Sequence, residues 1–115
     1  MDMSLLGETI YAPAAAQRTY GFWMPAGGND GVAGCEVFYN NSGDAFTVYL
    51  ETKSSDEDDS MAAAIGNVSI SATGFTPTQY KFDVNDAKDL VRYLLYSTKA
   101  GYVHLQYAQP MWQPN

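Results

Sequence analysis

Hydrophobic and polar residues alternate along most of this chain with a period of two. Over 45–53, Phe46, Val48 and Leu50 fall on one face, and Thr47, Tyr49, Glu51 and Lys53 on the other. That is the pattern of a strand with one buried and one wet face. Val68, Ile70 and Ala72 alternate with Ser69, Ser71 and Thr73. Tyr80, Phe82 and Val84 alternate with Lys81 and Asp83, and Val103, Leu105 and Tyr107 with His104, Gln106 and Ala108. Segments 34–40 and 18–23 are further strand candidates. The stretch 40–44 reads as a hairpin link between the strands on either side of it.

Two segments break the alternation. Over 86–96, Ala87, Leu90, Val91, Leu94 and Leu95 have helical spacing behind a possible Asp86 N-cap. The same residues read as a loop followed by a buried strand, Leu90 to Ser97, which residues 98–101 turn back onto 102–109. The strand is the preferred reading, because its neighbours are strands. Residues 60–65 have room for one helical turn, too short to stand without packing.

Turn residues recur about every ten positions, the rhythm of a sandwich or barrel. The expected fold is all-β: a single antiparallel β-sandwich domain over 1–115, jelly-roll-like, with seven to eight strands and short apolar N- and C-terminal extensions. Its core is expected to hold Phe46, Val48, Leu50, Val68, Ile70, Phe82, Val91, Val103 and Leu105.

Charge narrows the function. Six basic residues face thirteen acidic ones, for a net charge of −7. Arg18, Lys53, Lys81, Lys88, Arg92 and Lys99 are scattered, so neither nucleic acid nor an anionic membrane is expected as a partner. No apolar run is long enough to span a bilayer as a helix. An acid near the start stands where a signal peptide carries basic residues. Cys35 is the sole cysteine; it excludes an internal disulfide and reads as a small buried hydrophobe at a strand start. His104 falls on the polar side of a strand without a nucleophile or second ligand in view. Four acids cluster at Asp56, Glu57, Asp58 and Asp59 without a calcium-loop pattern, and read as a solvated, mobile loop whose charges are replaceable. No catalytic constellation, metal site or cofactor site is expected.

Nine tyrosines, five phenylalanines and two tryptophans exceed the needs of one small core. Phe22, Trp23 and Met24 close one candidate strand. Met111 and Trp112, between two prolines, sit in a chain end too apolar for a frayed tail. That tail either folds back over the sandwich or docks on a partner. These five residues are the candidate partner interface. The wet strand faces show no obvious row of three aromatics.

The run Val48-Tyr49-Leu50-Glu51-Thr52-Lys53-Ser54-Ser55-Asp56, the later Val91-Arg92-Tyr93 and the closing Tyr102-Val103-His104-Leu105 together resemble small jelly-roll-like sandwiches of tailed-bacteriophage virions, the capsid cement or decoration proteins. The resemblance covers roughly residues 34 to 108. It implies a non-enzymatic structural subunit, assembled in the bacterial host cytoplasm, that clamps major capsid protein subunits and self-associates as a dimer or trimer. A phage tail or baseplate adaptor, and a glycan-binding sandwich module, share the same rhythm.

Overall fold

The structure is a computed structural model that describes residues 5–10 by their backbone, and 18–41, 46–71, 77–99 and 101–113 in full. Most of the N-terminal extension, much of the expected link at 40–44, the turn signal at Gly74 and the last two residues of the tail lie outside the described residues. The strands are β1 (Leu5–Ile10), β2 (Arg18–Tyr20), β3 (Met24–Pro25), β4 (Gly31–Asn40), β5 (Phe46–Lys53), β6 (Ala63–Ile70), β7 (Thr78–Val84), β8 (Leu90–Ser97), β9 (Val103–Ala108) and β10 (Met111–Trp112). One turn of 3-10 helix, Asp59–Met61, precedes β6.

Two antiparallel sheets face each other. In the first, β1 pairs with β9, β9 with β4 and β4 with β7; β10 pairs with the start of β4. Since β7 occupies one edge of β4, β9 and β10 share the other and form one interrupted strand. In the second, β8 lies between β5 and a broken strand made of β2 and β3, and β6 flanks β5. Counting β2 with β3 and β9 with β10 as single strands leaves eight. Their order is 1-8-3-6 in one sheet and 2-7-4-5 in the other, which is jelly-roll topology.

This order corrects two expected hairpins. β4 and β5 lie in different sheets, as do β8 and β9. The turn signals at 40–44 and 98–101 therefore mark crossings between layers. A turn residue reports that the chain reverses, and a reversal closes equally well within a sheet or across the sandwich. Among the described residues, the one in-sheet connection between consecutive full strands joins β5 to β6 through the acidic segment.

β8 settles the ambiguity at 86–96 in favour of a strand. Val91, Tyr93, Leu95 and Ser97 face the core, while Leu94 on the opposite side is only 7% exposed. A strand covered on both faces reads as a near-continuous apolar run, which is how helical spacing arose by coincidence. Asp86 caps no helix. It sits in the left-handed region at φ 63, and its N–H donates to Asp30 Oδ1.

The core is the expected one, with Val68 only half-buried at its margin. It also contains a stacked pair, Tyr93 and Tyr107, with ring centroids 4.4 Å apart. Cys35 lies in the middle of β4, fully buried. Burial pushes its thiol up to about 12, so it stays protonated and inert. Gly66 lets β6 approach β7 closely, since a Cβ there would strike the Asp83 carbonyl. That contact shuts one side of the sandwich.

Candidate functional site

The outer face of the β2–β8–β5–β6 sheet is where the strand registers bring chemistry together. Arg18 and Tyr20 on β2 pair with Tyr96 and Leu94 on β8. Tyr96, Leu94 and Arg92 pair in turn with Thr47, Tyr49 and Glu51 on β5. Cross-strand partners share a face, so these residues form rows over the sheet. Tyr20, Tyr49 and Tyr96 all lie on this one wet face, although no single cross-strand row holds three aromatics. Residues far apart in sequence become neighbours through strand order.

At one end of the face, charge and aromatic rings interlock. Arg92 pairs with Glu51 at 2.9 Å, and its second nitrogen reaches Asp59 at 3.5 Å. Its guanidinium lies over the Tyr20 ring at 4.1 Å and the Trp23 ring at 4.4 Å. Lys53 pairs with Asp59 at 2.9 Å, donates to the Glu57 carbonyl at 2.9 Å, and lies 5.0 Å from the centre of Trp23. Trp23 Nε1 donates to Asp59 Oδ1 at 3.0 Å. Side-chain exposures of 10% for Lys53 and 11% for Arg92 explain the density of contacts. Cations this covered are tolerated only with partners on several sides. The indole covers them because Gly21–Trp23 bulges out of the edge strand between β2 and β3, with the Gly21 N–H still bound to the Tyr93 carbonyl.

The acidic segment is correspondingly well anchored, and the expectation of a loose loop with interchangeable charges is corrected. Glu57 accepts from the Ser54 N–H at 2.7 Å and from Lys88 at 3.3 Å. Asp89 accepts from both Ser55 donors at 3.1 Å. Thr52 Oγ1 donates to the Leu90 carbonyl and accepts from the Lys88 N–H. Asp56 and Asp58 stay exposed. Among the described residues, no group of three or more His, Cys, Asp or Glu is arranged to hold a metal ion.

Hydrogen bonds from the Ser54 backbone and then Lys88 hold Glu57 below its usual 4.5, and the hydrogen bond from Lys53 does the same for Asp59 below 3.8. A carboxylate whose folded value is depressed adds stability above its unfolded value. That contribution is lost as pH falls through the folded value. The melting temperature is therefore expected to fall below about pH 4.5, together with a change in tryptophan fluorescence as Trp23 loses its anchor. Asp59→Asn should lower the melting temperature at pH 7 and flatten the acid limb; an unchanged acid limb would show that Asp59 contributes nothing to it.

The five proposed interface residues separate by position. Phe22 is 53% exposed, while Trp23 is half-buried over Lys53 and Arg92. Met24 and Trp112 pack against the core, and Met111 pairs with Val32. The C-terminal segment thus folds back along β4, the Gln113 N–H donating to the Asp30 carbonyl at 2.9 Å. The Trp112 indole lies so close over Gly27 that a Cβ there would overlap it. His104 packs against Phe38 with the rings tilted at 49°, centroids 5.3 Å apart. Residues missed from the sequence are Arg18, Tyr20, Glu51 and Arg92. Each stands at an outward strand position, the one signal available, but scattered basic residues reveal a cluster only once strand order is known. No protein-family model, curated protein or solved structure matches the chain.

Proposed function

We propose that this protein is a non-enzymatic virion structural subunit, a capsid cement protein that clamps neighbouring major capsid proteins. The observation that carries the reading is a pair of exposed apolar side chains on two segments tied together by a hydrogen bond. Phe22, 53% exposed, precedes Trp23; Met61, 59% exposed, follows Asp59 by two residues. The Trp23–Asp59 hydrogen bond of 3.0 Å brings these two segments together. Exposed large apolar side chains on a well-ordered support are the make-up of a protein–protein anchor, because little conformational freedom remains to be lost on docking. The jelly-roll scaffold supports the same reading by analogy of fold. Many copies on one shell turn modest single-site affinities into durable attachment.

Phe22→Ser and Met61→Ser should each leave the melting temperature nearly unchanged, because neither side chain is buried. Each should weaken attachment by about 2 kcal/mol, a roughly thirty-fold loss. The measurement is occupancy of the purified protein on emptied shells and, separately, on tails of the phage that carries the gene. Full occupancy by both variants, or no binding of the wild type to shells, would sink the reading. Binding to tails alone would favour the adaptor role instead.

A further inference from the structure

Adjoining that cluster, the same sheet face carries a second arrangement that capsid docking does not use. A shallow open depression of about 320 Å³ lies there, lined by Arg18, Tyr49, Glu51, Ala64, Leu94 and Tyr96. Leu94, 7% exposed, forms its floor. Ala64 pairs with Glu51 across β6 and β5, and as a small side chain makes the wall on that side low. Tyr20 stands on the far rim, 46% exposed, paired with Leu94.

We propose that this depression is a saccharide-binding site that takes a short glycan chain. Sugars present two chemistries at once, an apolar C–H face on each ring and a fringe of hydroxyls that both donate and accept. The depression offers both. Tyr20 and Tyr49 flank Leu94 across two strand spacings, so they stand roughly 10 Å apart; Tyr49 offers its ring to one part of an oligosaccharide, and Tyr20, one face of which Arg92 covers, leaves its exposed side to the next. The Arg92 pairing engages only Oε1 of Glu51, which leaves Oε2 to accept from a hydroxyl while the carboxylate is held in place. Arg18 lies over the Tyr96 ring at 5.0 Å, and among the described residues no carboxylate pairs with it. Its fork of donors lies beside an aromatic platform. β5 and β8, which carry Tyr49, Glu51, Leu94 and Tyr96, are each paired on both sides, so most of the site is formed before a ligand arrives.

A proline-rich peptide is the competing occupant of an aromatic groove. It needs apolar ridges to embrace its rings, and here it would cover the Glu51 carboxylate without giving it a donor, since proline has no N–H. Sugar hydroxyls satisfy that oxygen.

The test is to titrate the full chain with soluble tetrasaccharides of glucose, N-acetylglucosamine, galactose and mannose, following backbone amide shifts by NMR. At least one series should shift the amides of Tyr49, Glu51, Leu94 and Tyr96 in a saturable way. Tyr49→Ala, at a half-exposed position, should weaken that binding roughly tenfold, and Tyr49→Phe should retain it, because the stacking surface survives. Phe22→Ser should bind as the wild type does, which keeps this result separate from capsid attachment. No saturable shift with any of the four series would overturn the proposal. So would binding that Tyr49→Ala leaves intact, or a proline-rich decapeptide that shifts the same amides where the sugars do not.

Discussion

Leu50→Ala is expected to lower the free energy of unfolding by about 2–5 kcal/mol, measured as a shift in urea midpoint at constant slope. Leu50 is fully buried in β5, paired with Tyr93 on β8 and Gly66 on β6. The loss has two parts, the transfer energy of the deleted carbons and the cavity they leave. Collapse of the site is resisted from several directions. The Tyr93–Tyr107 stack is nearly parallel, at 6°, and cannot tilt inward without breaking. β5 is hydrogen-bonded along both edges. A cavity with stiff walls places the cost in the upper part of the range. A shift under 1 kcal/mol would mean that the two sheets can slide together, and that the packing described is wrong there.

Tyr93→Phe should be nearly as damaging, by about 2–4 kcal/mol, although only one oxygen is removed. Pro110 has no N–H and lies between β9 and β10, where the ladder along β4 is interrupted between Cys35 and Val32. The Tyr93 hydroxyl, arriving from the opposite sheet, bridges the gap. It donates to the Ala108 carbonyl at 2.6 Å and accepts from the Gly34 N–H at 3.1 Å. Both backbone groups sit in the buried interior, and orphaning each costs about 1–3 kcal/mol. Phenylalanine keeps the ring stack, so the loss reports the two hydrogen bonds. Amide exchange distinguishes this account from general loosening: Gly34 should lose protection far more than Val48, which lies in the other sheet. Equal loss at both positions would refute the bridge. Burial also raises the Tyr93 phenol above its ordinary value, since its anion would be stranded in the core.

The sequence revealed most of the strands and the core because both depend on local alternation; β1, over Leu5–Ile10, falls where only a terminal extension is expected. Phe46, Val48 and Leu50 announce a buried face whatever their partners are. Partnership is another matter. Nothing in Asn40-Asn41 or Thr98-Lys99 distinguishes a hairpin from a crossing between sheets. The misjudged connections follow from that, and so does the hidden site. Arg18, Glu51 and Arg92 belong to three strands, and their proximity is a property of strand order. The acidic segment misled for a related reason. Asp59 looks like one more solvated carboxylate until Lys53, Arg92 and Trp23 converge on it. In the sequence Trp112 fits folding back and docking on a partner equally well, because its receptor, the bare backbone of Gly27, has no side chain to announce it.

The strand order also bears on how the chain reaches this state. Among the described residues, β5 and β6 are the one pair of full-length neighbouring strands joined by a short local segment. β1 waits for β9, β4 for β7 and β9, and β5 for β8. Each of those pairings closes a long loop before it gains a contact, which places the protein among domains that fold in about milliseconds to seconds. The β5–β6 hairpin is the one piece of sheet that can form ahead of such a closure. The bonds of Thr52 to residues 88 and 90 and of Ser55 to Asp89 then set the register in which β8 joins it. The segment that looks most dispensable in the sequence is thus the connection on which the order of assembly turns.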